Sequence, residues 1–151
     1  MSADQTRPEM TIRPFQAGDT EAVVVLWQEC GLTRPWNDPY EDIALKVDFQ
    51  PELFLVGTLA DRIVATVMAG YEGHRGWINY LGVSPDYQRQ GIGSRIMAAA
   101  EKALRDLGCV KINLQVRATN RAVIAFYEQL GFSDDHVLGM GKRLKPAREQ
   151  P

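Results

Sequence analysis

The segment covering residues 82–94 constrains the fold of this chain more than any other. An apolar run that ends near Val83 leads into a short polar turn, and Gly91 and Gly93 then open directly into a helical pattern. Glycine at these positions lets the backbone approach a ligand without a Cβ in the way. The first amides of the following helix lack intrahelical partners and carry partial positive charge. The segment therefore predicts a strand–loop–helix unit that binds a phosphorylated ligand.

The composition is that of one ordinary globular domain, with 151 residues, 45% hydrophobic and 24% charged. The net charge is −2 and the basic residues are scattered, which disfavours nucleic-acid binding. No apolar run approaches the roughly 20 residues of a membrane span, and no apolar signal core is seen, so we expect no membrane partner and a cytoplasmic location. Cys30 and Cys109 lack metal-ligand spacing and a disulfide framework. We therefore expect no metal and two buried free thiols.

Apolar periodicity predicts the element order strand, two helices, three strands, helix, strand, helix, strand. Because hairpins lie beside strand–helix–strand crossovers, the sheet is expected to be mixed, in the α/β (α+β) class. We expect a single domain over residues 10–144, a flexible leader over 1–9 and a polar tail over 145–151. The last strand, or pair of strands, is expected within residues 132–144.

Three polar residues are predicted N-caps of helices, namely Asp19, Asp38 and Asn120. The helix that begins after Asp38 is expected to extend to about Phe49, with Ile43 and Val47 facing inward.

The glycine pair matches two known nucleotide-binding motifs only in part. The third glycine of a dinucleotide fingerprint is replaced by Ile96, and the next strand ends in Arg117–Ala118–Thr119 rather than in an acidic ribose ligand. A P-loop needs a Gly-Lys-Ser/Thr ending that is absent. A nucleotide-binding α/β domain is therefore the disfavoured alternative, and the glycines alone do not specify the ligand.

A second motif lies one strand and one helix downstream, and it runs from Asn120 through Phe126–Tyr127–Glu128 to Leu130–Gly131–Phe132. Joined to Gln88–Arg89–Gln90–Gly91–Ile92–Gly93, it resembles the GNAT superfamily of acyl-CoA-dependent N-acyltransferases. The pair of motifs is specific, and the element order matches that family across residues 10–144. The stretch Leu32–Pro39 also resembles a small bacterial subgroup, the YpeA-type acetyltransferases. The resemblance implies a GNAT fold, with a splayed mixed sheet of about six to seven strands flanked by four helices.

The resemblance also implies that the cofactor is acetyl-CoA. The family's pyrophosphate cradle corresponds to the backbone of Gln88, Arg89, Gln90, Gly91, Ile92, Gly93 and Ser94. The main chain of Leu81, Gly82 and Val83 corresponds to the edge that pairs with the pantetheine arm, where two parallel strands separate. By the same correspondence Asn120, Phe126 and Tyr127 contact the cofactor.

Two groups are implied to act in catalysis. The Leu81 amide corresponds to the donor to the thioester carbonyl, a contribution of ~3 kcal/mol to barrier lowering. Tyr127 corresponds to the tyrosine that protonates the leaving thiolate. Simple aromatic packing is the alternative for Tyr127, and an N-cap alone would explain Asn120. Because no Ser–His–Asp or Cys–His pairing suggests a covalent acyl-enzyme, we expect direct attack by a primary amine.

The general base is left open, because the positions that often carry a glutamate in the family hold residues 77–80, Trp–Ile–Asn–Tyr. Glu72 and His74 are alternatives that would act through water, as is proton loss to solvent. The acceptor pocket is expected to be formed by the loop between the first two helices and by the outward face of the central strands, with Trp36, Asn37, Tyr71, Trp77, Asn79 and Tyr80 as its candidate residues.

The expected partner is an amine-bearing small molecule or protein. The sequence leaves open the identity of the acceptor and the formation of a homodimer. The alternative function is a catalytically silent acyl-CoA-binding module that senses the cofactor or serves a partner protein.

Overall fold

The computed structural model describes residues 9–146, so that most of the predicted leader and of the predicted tail lies outside the described residues. The strands are β1 (Thr11–Pro14), β2 (Phe54–Leu59), β3 (Arg62–Tyr71), β4 (Gly76–Val83) and β5 (Ile112–Leu114). The helices are α1 (Thr20–Glu29), α2 (Pro39–Val47), α3 (Ile92–Asp106) and α4 (Arg121–Gln129). Within the described residues, no helix combines the length and the apolar character that crossing a membrane requires.

The strands form one sheet in the order β1-β2-β3-β4-β5. The first four are antiparallel neighbours, whereas β4 and β5 are parallel. The tight turn between β2 and β3 has positive φ at both Ala60 and Asp61, the conformation that matches the twist of a two-residue hairpin. Since β5 runs parallel to β4, the chain crosses over through α3. The predicted mixed sheet with four helices is confirmed.

Apolar side chains form two clusters, one on each face of the sheet. Ile96, Ala100 and Leu104 of α3 belong to the first cluster, together with Leu55 of β2. The second cluster lies on the other face of the sheet, where α1 and α2 pack against the β2 residues on either side of Leu55. It contains Val23, Val24, Trp27, Ile43, Phe54 and Val56. This alternation follows from the two-residue period of a strand, so the helices are divided between the two faces.

The predicted count of six to seven strands is wrong, because five strands form among the described residues and none of them lies in 132–144. Asp134 accepts a hydrogen bond from the backbone of His136, whose φ of 54° bends the chain. Gly139 and Gly141 then offer no side chain to pack on a sheet. The apolar side chains of this segment are accordingly 78–92% exposed, namely Val137, Leu138, Met140 and Leu144.

The predicted helix caps are confirmed in two cases and corrected in one. The Asp38 carboxylate accepts from the Tyr40 amide at 2.9 Å, and Asn120 accepts from the Val123 amide at 3.4 Å. Asp19 also precedes its helix, but its carboxylate makes no cap hydrogen bond to α1. It instead lies 2.7 Å from the Arg13 guanidinium, and this hydrogen bond lowers the pKa of Asp19.

Helix α2 is attached to the end of β3 by two polar side chains. The Lys46 ammonium donates to the Ala69 carbonyl at 2.6 Å, and burial lowers the pKa of Lys46. The Gln50 side-chain amide donates to the Tyr71 carbonyl at 2.7 Å and accepts from the Tyr71 amide at 2.9 Å. The inward position expected for Val47 is therefore wrong: Val47 is 44% exposed, and the neighbouring Lys46 is buried.

A β-bulge interrupts the pairing of β3 with β4. Thr66 pairs with Gly82 and Met68 pairs with Asn79, so that two residues of β4, Tyr80 and Leu81, lie opposite one residue of β3. Tyr80 has a φ of 51°, in the left-handed region that non-glycine residues seldom adopt. A bulge re-aims the groups of the strand that carries it.

Buried side chains stabilise this bulge. The Thr66 hydroxyl donates to the Tyr80 carbonyl at 2.9 Å and accepts from the Trp27 indole N–H at 3.0 Å. The rings of Trp27 and Tyr80 are also stacked, with centroids 3.7 Å apart. Because Thr66 and Trp27 are fully buried, water does not replace either partner. Helix α1 and the strained residue of β4 are thereby joined through one hydroxyl.

We predict that Thr66→Val lowers the free energy of unfolding by about 3 kcal/mol, because the near-isosteric change leaves a buried indole N–H and a buried carbonyl unpaired. Urea denaturation measures this loss. Thr58→Val is the matched control, since the Thr58 hydroxyl lies near the surface and makes only a 3.4 Å contact with the Thr11 carbonyl. We expect a change within about 0.5 kcal/mol for the control. Equal losses in the two variants would contradict this role of Thr66.

Candidate active site

The parallel strands β4 and β5, the last pair of the sheet, separate partway along β4. They pair from Gly76 with Ile112 to Ile78 with Leu114, where β5 ends, while β4 continues to Val83. Within the described chain, residues 79–83 of β4 therefore have no strand beside them on the β5 side. Backbone groups along that edge are available to a ligand that extends the sheet.

The N-terminus of α3 lies directly after this edge. Gly91 is its N-cap residue with a φ of 76°, and Arg89 has a φ of 65°. Of the seven predicted cradle residues, Gln88, Arg89, Gln90, Gly91 and Ser94 are exposed, and Gly93 is half-buried. The Ile92 side chain is 4% exposed and packs in the core, so only its backbone is available to a ligand.

Gly93 permits close packing between α3 and α4. A Cβ at this position would lie 3.2 Å from Cζ of Phe126, tighter than most real contacts. The Phe126 ring thus contacts the first turn of α3. The first turn of α3 contains no acidic residue, and the Arg89 side chain supplies a nearby cation. These features fit the pyrophosphate of coenzyme A, which an unpaired helix N-terminus attracts.

Tyr127 lies on α4, and its side chain is almost completely buried. Its ring packs edge-on against Phe126 and Phe132, with centroids 5.2 Å and 5.5 Å away. Burial raises the pKa of Tyr127 to about 12. The phenol therefore stays protonated at neutral pH, as a proton donor must, and it also serves as a packing aromatic.

A cavity of about 700 Å³ lies between α2 and β4. It brings together three of the six predicted acceptor residues, Asn37, Asn79 and Tyr80. A second cleft of about 1120 Å³, between β5, α4 and the C-terminal segment, contains Trp77. Trp36 and Tyr71 line neither space, and the Tyr71 hydroxyl donates to the Gly73 carbonyl instead.

Asp42 is a residue of this cavity that sequence reasoning missed. Its carboxylate accepts a hydrogen bond from the Tyr80 hydroxyl at 2.5 Å. Burial and this hydrogen bond raise the pKa of Tyr80 well above its usual value. The available signal was helical spacing, since the α2 face that lines the cavity consists of Asp42, Leu45, Lys46 and Phe49.

The two side chains considered as a base through water lie outside this cavity. The Glu72 carboxylate accepts hydrogen bonds from the backbone amides of His74 and Arg75, and these bonds lower the pKa of Glu72. The His74 ring is exposed beside the Arg75 guanidinium. Glu72 therefore organises its own loop.

The C-terminal segment returns to the cavity's entrance. The Arg143 guanidinium donates to the Asn37 side-chain carbonyl at 2.8 Å, and the Lys145 ammonium lies 3.9 Å from Glu41. Residues more than 100 positions apart thus meet at the loop between α1 and α2.

Both cysteines are half-buried and free. The Cys30 thiol donates to the Val83 carbonyl at 3.3 Å, and burial raises the pKa of this thiol. It packs against Gly82, where a Cβ would lie 3.2 Å from the sulfur. Cys30 therefore supports β4 from the α1 side. Among residues 9–146 no cluster of three His, Cys, Asp or Glu side chains has the arrangement of a metal site.

Comparison with known proteins identifies the family. The model of the acetyltransferase (GNAT) family matches residues 21–132. An acetyltransferase of Sodalis glossinidius is 50% identical over 89% of this chain and 96% of its own length. An acetyltransferase of Pectobacterium atrosepticum is 48% identical over 93% of this chain and 99% of its own.

Solved structures show the same fold. Ard1 from Thermoplasma volcanium is 29% identical with a TM-score of 0.74, and 82% of each chain is covered. The ribosomal-protein-S18-alanine N-acetyltransferase from Escherichia coli is 28% identical with a TM-score of 0.71, over 83% of this chain and 78% of that one. The PaiA N-acetyltransferase from Thermoplasma acidophilum, solved in complex with coenzyme A, is 18% identical with a TM-score of 0.69, over 87% and 94%. This chain therefore belongs to the GNAT acetyltransferase family, whose cofactor is acetyl-CoA, and it is an acyltransferase.

Proposed function

We propose that this protein transfers the acetyl group of acetyl-CoA to a primary amine, which attacks the thioester directly. One observation carries the proposal: β4 and β5 separate beyond Ile78 and Leu114, next to the N-terminus of α3. An unpaired strand edge and a set of unpaired helix amides are thereby adjacent. The first suits the amide-rich pantetheine arm, and the second suits the pyrophosphate.

In this proposal the backbone amides from Gln88 to Ser94 hold the pyrophosphate, and Arg89 adds a positive charge. The main chain of Leu81, Gly82 and Val83 pairs with the pantetheine arm. Asn120 and Phe126 flank the arm from α4. The exposed loop and the packed Gly93–Phe126 contact support this assignment, because the backbone is accessible while α3 and α4 are held at a short separation.

Bound acetyl-CoA supplies the electrophilic thioester. The Leu81 amide donates to the thioester carbonyl oxygen as negative charge develops there, a contribution of ~3 kcal/mol to barrier lowering. As the amine nitrogen bonds to the carbonyl carbon, it loses its extra protons to water and the C–S bond breaks. The Tyr127 hydroxyl donates its proton to the leaving sulfur and regains one from water. The bulge at Tyr80 and Leu81 and the raised pKa of Tyr127 support these roles, because the first re-aims an amide and the second keeps a proton in place.

The acceptor in this proposal is an amine on a small molecule or on a protein. The 28% identity to an enzyme that acetylates an alanine of a ribosomal protein supports including protein α-amines among the acceptors to be tested. The cavity of about 700 Å³, with apolar walls and a few polar groups, suits a short amine-bearing chain. Formation of a homodimer stays a prediction from the sequence.

We predict that Arg89→Glu weakens coenzyme A binding by about tenfold, because it replaces an attractive charge beside the diphosphate with a repulsive one. Isothermal titration calorimetry measures the change, and acetyl-pantetheine, which lacks the diphosphate, should bind both proteins alike. Arg105→Glu, at the opposite end of the same helix, is the control and should bind coenzyme A like the wild type. Failure of the wild-type protein to bind coenzyme A would overturn the proposed function.

We predict that Tyr127→Phe lowers the rate of acetyl transfer by about a hundredfold, the order expected for loss of a general acid. A thiol-release assay across a panel of amines measures it. Since the pKa of Tyr127 is raised to about 12, the hydroxyl keeps its proton and the loss should stay constant from neutral pH to about pH 10, where a free tyrosine ionises. A wild-type protein that binds the cofactor but releases no thiol with any amine would instead be the silent binding module.

A further inference from the structure

We propose that Asp42 is the residue that recognises the acceptor, by binding its ammonium group, so that this enzyme selects acceptors that arrive as alkylammonium cations. This inference rests on the proposed acetyl transfer. It adds the charge of the acceptor and the side chain that binds that charge.

The position of Asp42 carries the argument. Its half-buried carboxylate lines the cavity between α2 and β4 and accepts a hydrogen bond from Tyr80 at 2.5 Å. Tyr80 immediately precedes Leu81, whose amide is proposed to hold the thioester carbonyl. The Tyr80 side chain therefore links Asp42 to the bulge that also contains Leu81.

The other residues of the cavity leave this carboxylate available. Asp42 is the only acidic residue among those that line the cavity. The single lysine there, Lys46, donates to the Ala69 carbonyl and forms no ion pair with Asp42. Tyr80 donates to Oδ2, and within the described residues no hydrogen bond reaches Oδ1. A carboxylate oxygen accepts further hydrogen bonds, which an ammonium group with its N–H donors can supply.

The remaining lining is suited to an alkyl chain. Leu32, Leu45, Phe49 and Met68 provide apolar surface, while Asn37 and Asn79 provide uncharged polar groups. A cation with a short apolar stem would thus place its charge at Asp42 and its stem against these walls. Because the Asp42 carboxylate is half-buried, such a charge pair is weakened less by solvent than a pair of fully exposed groups.

The carboxylate is also held in a fixed place. Lys46 of α2 and Gln50, just after the helix, bond to the end of β3, four and eight residues after Asp42. The Tyr80 ring is stacked on the buried Trp27 at 3.7 Å, so the hydroxyl that orients Asp42 has little freedom. Tyr80 is therefore a positioning residue, and Asp42 is preorganised for a ligand.

The first test is a nuclear magnetic resonance titration of the full-length protein with butylamine, and with butanol as its uncharged counterpart of similar size. Saturable shifts should appear at the amides of Asp42, Asn79 and Tyr80 with butylamine only. Asp42→Asn keeps an acceptor for Tyr80, removes the charge, and should weaken butylamine binding by about tenfold or more. Asp48→Asn is the matched control, since Asp48 directly follows the same helix, is exposed, and does not line the cavity.

Butylamine shifts that avoid the cavity, or that persist unchanged in Asp42→Asn, would overturn the inference. Because this titration needs no cofactor, its outcome does not depend on acetyl transfer. If the wild-type protein did not bind coenzyme A, the proposed function would be wrong. The butylamine titration would still test whether Asp42 binds an ammonium group.

The second test compares acceptors in the thiol-release assay. Asp42→Asn should lower kcat/KM for alkylamines by about tenfold or more at neutral pH, with coenzyme A affinity unchanged. For hydroxylamine, which is largely uncharged at neutral pH, the same substitution should lower kcat/KM much less. Tyr80→Phe keeps the ring stacked on Trp27 and removes the hydroxyl that orients Asp42. It should lower kcat/KM for charged alkylamines more than for hydroxylamine, but by less than Asp42→Asn does. Equal losses for charged and uncharged acceptors would mean that Asp42 has only a structural role, contrary to the inference.

Discussion

The hydroxyl of Thr66 joins the bulge of β4 to helix α1, because it donates to the carbonyl of the strained Tyr80 and accepts from the Trp27 indole. A regular β4 would pair in register with β3 and would direct Leu81 like any other strand residue. The bulge instead inserts one extra residue, at the point where β5 has already ended. The active-site cleft thus depends on a buried polar contact in an otherwise apolar core.

The two sides of the proposed site use different parts of the chain to bind their ligands. The cofactor side uses backbone, with an unpaired strand edge and the N-terminus of α3, so few side chains there need specific chemistry. The acceptor side uses side chains, and Asp42 and Tyr80 are held in place by the attachment of α2 to β3. The cofactor side therefore suits the ligand common to the family.

The sequence predicted most helices and strands, because apolar periodicity and glycine positions are local signals, and the Asn120–Phe132 motif pointed to the family; the assignment of the cofactor-binding residues stays a prediction. The Asp38 cap and the α3 core positions Ile96 and Leu104 follow from such patterns. The last strand was expected from apolar content alone, although the bend at His136 and two glycines oppose extension. Thr66 was missed because its partners Trp27 and Tyr80 are 39 and 14 residues away, and no local pattern reports such contacts. Helical spacing places Asp42 on one face of α2 with Leu45 and Lys46, but it does not report the Tyr80 partner 38 residues away.

The central claim is that the separated edge of β4 receives the thioester arm. A crystal structure of this protein with acetyl-CoA and an unreactive acceptor analogue tests it most directly. The account predicts the pantetheine arm along residues 81–83, the pyrophosphate against the Gln88–Ser94 backbone, and the thioester oxygen within hydrogen-bond distance of the Leu81 nitrogen. Density for the cofactor on another surface, or a Leu81 amide turned away from the thioester, would contradict it.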